Sequence, residues 1–164
     1  MIPCGTGQRG FTLVELLIVI AIMGILLSIA VPNFSTMQKK AAIEQEVTTI
    51  YSNLMTVRLE ALYSKTGRTV GIVGDKLSIY SSQDTTVPPI SVITLRYPVS
   101  SANLVQFDSS GMMVQDEISI CVDPSGTLAD NPGNTDSVDV SAAKIHMGKR
   151  QSGGLCVPAN IEQK

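Results

Sequence analysis

The longest apolar stretch of the chain runs from Phe11 to Val31 and reads FTLVELLIVIAIMGILLSIAV. A helix of this length would be about 31 Å long, enough to cross the hydrocarbon core of a bilayer. Glu15 is the one ionisable residue in the stretch, and a carboxylate inside a membrane helix is costly and marks a functional site. We therefore expect a transmembrane helix at 11–31 with a functional carboxylate near its start.

A second helical pattern covers residues 32–66, where apolar residues recur at helical spacing on one stripe. The stripe consists of Val47, Ile50, Tyr51, Leu54, Val57 and Ala61. The opposite side carries Lys39, Lys40, Glu44, Gln45, Glu46 and Asn53. We expect an amphipathic helix that ends at Ser64, with Gly67 as its left-handed cap, and that packs on a sheet.

After Gly67 the pattern changes to short runs typical of strands. The predicted strands are Thr69–Val73, Lys76–Ser82, Ile90–Tyr97, Asn103–Phe107, Met112–Val114, Glu117–Val122 and Val138–Met147. Hairpin turns are expected at 74–75 and 108–111, a long loop at 123–136 and a tail at 153–164. One long helix followed by five to seven strands predicts an α+β fold, with the helix packed on an antiparallel β-sheet.

Composition and charge narrow the possible functions. The chain has 12 basic and 14 acidic residues, so its net charge of −2 gives no general attraction to nucleic acid. Phosphate-binding, nucleophile-elbow and zinc-protease motifs are missing, and His146 is the only histidine. We therefore expect no enzymatic activity, no cofactor and no metal, and a solvent-facing His146. A structural calcium site at 123–139 is the alternative for the acidic loop.

The residues before the apolar stretch carry one positive charge, Arg9, which is expected to stay cytoplasmic. An ordinary secretory signal peptide is the simple alternative, but this stretch is longer and lacks a clear small-residue cleavage site. The run Gly10-Phe11-Thr12-Leu13-Val14-Glu15, followed by an unbroken apolar helix, resembles the class III signal of type IV pilins and pseudopilins. The resemblance implies a leader peptide at 1–10, which prepilin peptidase removes by cutting between Gly10 and Phe11, and N-methylation of Phe11.

The resemblance also implies a role for Glu15, because cleavage would create an ammonium group on Phe11. In filaments of this family the carboxylate pairs with the amine of Phe11 on a neighbouring subunit, whereas a lone Glu15 could instead reach the lipid headgroups. Gly24 and Ser28 have the spacing that lets helices approach closely. Gly24 and Pro32 mark a helix break that can unwind in a filament, or an ordinary kink.

The layout of the chain resembles in particular the GspH and FimT group of minor pilins and pseudopilins, through the patches at 56–70 and 118–126 and the basic turn at 148–150. The implied protein is a structural subunit of a type II secretion pseudopilus or a type IV pilus. Its implied partners are other pilins, prepilin peptidase, the inner-membrane assembly platform and inner-membrane lipid. Residues 67–164 would form a periplasmic domain.

Three cysteines are present, and the implied topology separates Cys4 from Cys121 and Cys156. In the oxidising periplasm the last two could form a disulfide bond.

Lys149 and Arg150 support a second hypothesis, a minor pilin that binds DNA during uptake. A third hypothesis, an anchored periplasmic enzyme, lacks a catalytic constellation.

Overall fold

The computed structural model describes residues 10–101, 104–125 and 131–164, and the side chains of residues 29–33 are not among those described. Residues 1–9, which include most of the predicted leader and Cys4, lie outside the described residues. Residues 126–130, in the middle of the predicted loop at 123–136, also lie outside them. The chain divides into two compact units, one on each side of the boundary between Met37 and Gln38.

One α-helix, α1, spans Leu13–Ser64 and is 52 residues long. It includes Gly24 and Pro32, so the predicted weak point does not end the helix, and unwinding there in a filament stays a prediction. In the described part of the chain, no helix is both long enough and apolar enough to cross a membrane. The span predicted at 11–31 includes residues whose side chains are not described, and it also stays a prediction.

In the second unit, one stripe of α1 is buried in the hydrophobic core. Its members Val47, Ile50, Leu54, Val57 and Ala61 are at most 1% exposed, which confirms the predicted stripe. These residues belong to one cluster that also includes side chains from both sheets described below. Burying this stripe is what fixes α1 on the β-rich part of the unit.

The prediction that Glu46 lies on the polar side of α1 is wrong. Glu46 is only 7% exposed, and its Oε1 atom accepts a hydrogen bond of 3.1 Å from the backbone N–H of Tyr97. A buried carboxylate needs such a donor. The donor lies far along the chain, so helical periodicity alone could not place Glu46 correctly.

The helix ends at Ser64 as predicted, but the predicted cap is wrong. Lys65 adopts the left-handed conformation, with φ at 55°, whereas Gly67 does not have a positive φ. Gly67 serves a different purpose, because a Cβ atom at this position would lie 2.8 Å from the side chain of Gln83. Close packing, rather than chain reversal, therefore accounts for this glycine.

In the described residues after α1 there are nine strands, together with a short 3-10 helix at Pro158–Asn160. The strands are β1 (Arg68–Val73), β2 (Lys76–Tyr80), β3 (Ser91–Thr94), β4 (Val99–Ser100), β5 (Leu104–Phe107), β6 (Ile118–Val122), β7 (Ser137–Val140), β8 (Ile145–Arg150) and β9 (Ile161–Gln163). They form a four-stranded sheet in the order β3-β2-β1-β5 and a five-stranded sheet in the order β4-β6-β7-β8-β9. All the pairs are antiparallel, so the predicted α+β fold is confirmed, with two sheets in place of one.

Both predicted hairpin turns are present. Gly74 and Asp75 connect β1 to β2, with Val73 paired to Lys76 and Gly74 at a φ of 62°. At the second turn, the Gly111 N–H donates to the Asp108 carbonyl at 3.0 Å. Hydrogen bonds from the Ser110 hydroxyl, and then from the backbone N–H groups of Met112 and Ser110, hold the pKa of the Asp108 carboxyl below its ordinary value.

The C-terminal part of the second sheet differs from the prediction. The single strand expected at Val138–Met147 is two strands, because a turn at 141–144 reverses the chain between β7 and β8. The segment expected to be a tail contributes β9, whose Ile161 pairs with Arg150. Asp139 and His146 face each other across the β7–β8 hairpin. The local sequence pattern does not predict this pairing.

The buried stripe predicts a specific loss of stability. Leu54→Ala should lower the free energy of unfolding by about 2–5 kcal/mol, because it removes a fully buried side chain and leaves a cavity. The matched control Leu59→Ala replaces a leucine on α1 that is 45% exposed, and it should change stability by less than about 0.5 kcal/mol. Urea denaturation followed by circular dichroism measures both variants, and equal losses would contradict this packing.

Candidate functional site

The bond between Gly10 and Phe11 lies in an accessible part of the chain. Both residues precede the start of α1 and have no regular secondary structure. Phe11 is 70% exposed, and Gly10 is also exposed. Because proteases act on exposed and irregular backbone, this bond meets the physical requirement for cleavage.

Thr12 caps the first turn of α1 and thereby places Glu15. The Thr12 Oγ1 atom accepts a hydrogen bond of 3.2 Å from the Glu15 backbone N–H, and the Thr12 carbonyl accepts one of 3.2 Å from Leu16. Glu15 is the acidic residue of the first turn, where the helix dipole favours a negative charge. The Thr-x-x-Glu spacing is the sequence signal for this cap.

Large apolar side chains lie on the same helix as Glu15, between Leu13 and Leu27. Each of the following is 52–79% exposed: Leu13, Val14, Leu16, Leu17, Ile18, Ile20, Ile22, Met23, Ile25, Leu26 and Leu27. A Cβ atom at Gly24 would meet nothing within 4 Å, and the Ser28 hydroxyl is turned back onto the Ile25 carbonyl at 2.7 Å. The first unit therefore exposes a large continuous apolar surface, and such a surface marks contact with a membrane or a partner.

A disulfide bond joins Cys121 in β6 to Cys156, with the two Cα atoms 5.9 Å apart, and confirms the predicted pairing. The two cysteines are 35 residues apart in the chain. The bond ties the segment that leads into β9 to an inner strand of the second sheet. A link of this kind suits an oxidising compartment.

Lys149 and Arg150 lie at the end of β8 and not in a turn. The guanidinium Nη2 of Arg150 is 2.9 Å from Asp123 Oδ1, and both side chains are at most 4% exposed. Lys149 Nζ is 2.9 Å from Asp136 Oδ2, and Lys149 is 23% exposed. Both cations thus neutralise buried carboxylates of the same sheet, an arrangement that disfavours their use as phosphate contacts for DNA.

His146 does not face solvent as predicted. Its Nε2 atom is 3.2 Å from Asp139 Oδ2, and Asp139 Oδ1 accepts a hydrogen bond of 2.8 Å from the Ser119 hydroxyl. A hydrogen bond with Asp139, and then repulsion from that carboxylate, raise the pKa of the nearby Glu117 carboxyl, whereas His146 opposes the rise. Asp139 and His146 face each other across the β7–β8 hairpin.

No group of three or more His, Cys, Asp or Glu residues in the described ranges is arranged to hold a metal ion. Asp123, Asp136 and Asp139 from the proposed calcium region each approach a different cationic or titratable side chain of the protein. Residues 126–130 of that region lie outside the described residues.

Comparisons with known proteins converge on the N-terminal region. Residues 5–31 match the family model described as the prokaryotic N-terminal methylation motif. The chain is 59% identical over 34 residues to the type IV major pilin protein PilA of Myxococcus xanthus strain DK1622, which covers 21% of this chain and 16% of PilA. It is 46% identical over 48 residues to the type II secretion system core protein G of Pectobacterium carotovorum subsp. carotovorum, which covers 29% of this chain and 31% of that protein. The chain therefore spans less than a third of the length of these two relatives.

The fold is similar to a crystal structure of the type IV minor pilin FimU of Pseudomonas aeruginosa PAO1. The TM-score is 0.52 at 16% sequence identity, and the match covers 67% of this chain and 87% of FimU. The N-terminal region of the chain is therefore similar to type IV pilins and to type II secretion pseudopilins, and the fold of the chain is similar to that of a type IV minor pilin.

The methylation motif and the ion pairs of Lys149 and Arg150 lie in different units of the chain. Most of the described residues of the motif are exposed, as expected for groups that act on other molecules. The carboxylates of the two ion pairs are buried, as expected for structural groups. The motif can be read from local sequence, whereas the carboxylate partners of Lys149 and Arg150 lie 13 and 27 residues away along the chain.

The buried ion pair predicts that Arg150 stabilises the second unit. Arg150→Met should lower the free energy of unfolding by about 3–5 kcal/mol, because it leaves Asp123 charged, buried and without its partner. The matched control is Lys164→Met, which removes an exposed contact of 3.7 Å to Glu162 and should cost less than about 1 kcal/mol. Thermal and urea unfolding measure both variants, and an Arg150→Met protein as stable as its control would refute the structural role.

Proposed function

We propose that the chain is the precursor of a minor pilin or pseudopilin. Prepilin peptidase cleaves it between Gly10 and Phe11 and methylates the new amino terminus of Phe11. Residues 11–31 hold it in the inner membrane, with residues 67–164 in the periplasm. An inner-membrane assembly platform then moves the subunit into a type II secretion pseudopilus or a type IV pilus, where it contacts other pilins.

The observation that carries this proposal is an exposed apolar helix with one carboxylate in its first turn. Burying each half-exposed Leu, Ile or Val of this segment would contribute roughly 1 kcal/mol. Either lipid or neighbouring helices can supply that burial, so one surface serves for storage in the membrane and for assembly. The match of residues 5–31 to the methylation motif supports this dual use.

Glu15 provides the step from storage to assembly. A carboxylate buried among helices requires a cation close to it. The α-ammonium of Phe11 is such a cation, with an ordinary pKa of about 8, and it forms only after the Gly10–Phe11 bond is cut. The amine on a neighbouring subunit therefore selects processed chains and sets the register between the helices.

The second unit supports the remaining parts of the proposal. The disulfide between Cys121 and Cys156 agrees with a periplasmic domain, since disulfides persist in that compartment. The two-sheet fold and its likeness to a minor pilin favour a minor subunit of the GspH and FimT type over a major pilin.

DNA binding was the second hypothesis, and it rested on Lys149 and Arg150. No contact of the described residues favours it, because these two cations engage Asp136 and Asp123. The structural role in a filament is therefore the one function proposed.

The charge pair predicts the behaviour of Glu15 variants. Glu15→Ala and Glu15→Gln should each reduce incorporation into fibres by at least about tenfold. A tenfold change in an equilibrium constant corresponds to ~1.4 kcal/mol, and breaking a buried ion pair costs more than that. Both variants should still be processed and stay in the membrane fraction. Immunoblots of sheared fibres and membranes measure the two pools.

The matched control is Glu60→Gln, which removes an exposed carboxylate from the same helix and should leave incorporation unchanged. Normal incorporation of Glu15→Gln would remove the charge pair from the proposal. Loss of both Glu15 variants from the membrane would instead show that Glu15 acts in insertion.

A further inference from the structure

The amine of Lys149 contacts a carboxamide as well as the carboxylate of its ion pair. Its Nζ atom is 2.9 Å from Asp136 Oδ2, 3.2 Å from the side-chain Oδ1 of Asn131 and 2.9 Å from the Asn131 carbonyl. A primary amine, a carboxamide and a carboxyl group thus converge at one point. These are the groups needed to form an amide bond between two side chains with release of ammonia.

The carboxamide of Asn131 is held in place for attack. Its Nδ2 atom donates to the Val122 carbonyl at 3.3 Å, and its Oδ1 atom accepts from the Gly133 N–H at 3.3 Å. Since Nζ is 3.2 Å from Oδ1 and a C=O bond is about 1.2 Å long, Cγ lies at most about 4.4 Å from Nζ, and the two atoms must approach to about 3–3.5 Å to react. The Gly133 N–H is placed to stabilise the negative charge that develops on Oδ1.

Asp136 can move the protons that the reaction requires. Its side chain is 2% exposed, and its Oδ2 atom already accepts a hydrogen bond from the lysine Nζ. This hydrogen bond is the path along which a proton can pass from Nζ to Oδ2. The Arg150 backbone N–H fixes the other oxygen, Oδ1, at 2.7 Å.

The surroundings keep these groups together. Gly133 is buried against α1, where an added Cβ would lie 3.0 Å from Ile43. The neighbouring Asn134 N–H donates to Glu44 Oε1 at 2.8 Å, and the Asp136 N–H donates to the Gly148 carbonyl at 3.0 Å. The segment from Asn131 to Asp136 is therefore anchored both to the helix and to β8.

We propose that Lys149 and Asn131 form an intramolecular isopeptide bond. Asp136 takes a proton from Nζ across their 2.9 Å hydrogen bond, the neutral Nζ attacks Cγ of Asn131, and a new N–C bond forms. Asp136 delivers this proton to Nδ2, the C–Nδ2 bond breaks, and ammonia leaves. The regenerated carboxylate then takes the surplus proton from Nζ and passes it to the ammonia, which departs as ammonium, so no oxidant or reductant takes part.

The bond would give the second unit a covalent link next to its disulfide. The disulfide ties β6 to the segment before β9, whereas the isopeptide bond would tie β8 to the segment that precedes β7. The inference stands apart from the proposed function, because it concerns only groups within the second unit.

Peptide mass spectrometry of the purified full-length chain tests the proposal. After reduction and proteolysis, we expect a branched peptide that joins Lys149 to Asn131 and is lighter by one ammonia than the two parent peptides together. Lys149→Arg keeps the positive charge opposite Asp136 but has no nucleophilic amine, so it should give only linear peptides. Lys164→Arg is the matched control and should retain the branched peptide.

Asp136→Asn tests the proton transfer and should abolish the branched peptide. Persistence of the branched peptide in this variant would overturn the role of Asp136. Linear peptides alone from the wild-type chain, even after prolonged incubation, would overturn the isopeptide bond itself and leave Lys149 as an ion-pair partner only. The wild-type measurement does not depend on whether any variant folds.

Discussion

Removing apolar surface from water is the constraint on which the rest of this structure depends, and α1 meets it in two ways. In the second unit, the stripe from Val47 to Ala61 is buried in a core shared with both sheets. In the first unit, the side chains from Leu13 to Leu27 remain largely exposed. One helix therefore carries an apolar surface that is buried within the chain and another that is exposed, and an exposed surface of this kind marks a contact site. Under the proposed function, folding depends on the first surface and assembly on the second.

The features that local sequence could predict are those with a local cause. Helical spacing located the buried stripe and the end of α1 at Ser64, and Gly74 followed by Asp75 indicated a two-residue hairpin. The features that it missed depend on distant partners. Glu46 is buried because Tyr97 supplies a backbone donor, and the final segment forms β9 because β8 is available for pairing. The β7–β8 turn was missed because both strands are apolar enough to read as one run.

The same division applies to the candidate site. The roles of Phe11 and Glu15 stay predictions, and they could be made from the sequence because the motif is local. Thr12 places Glu15 through a hydrogen bond within one turn. Lys149 and Arg150 were misplaced in a turn because their carboxylate partners lie 13 and 27 residues away. In the second unit these two cations are paired with buried carboxylates.

The central claim is that the exposed helix becomes an assembly element only after the Gly10–Phe11 bond is cut. Mass spectrometry of the amino-terminal peptide tests this claim most directly, using protein isolated from membranes of cells that contain prepilin peptidase. The account predicts a chain that begins at Phe11 and carries a methyl group on its α-nitrogen. A chain that keeps Met1, or one that begins at any residue other than Phe11, would contradict it.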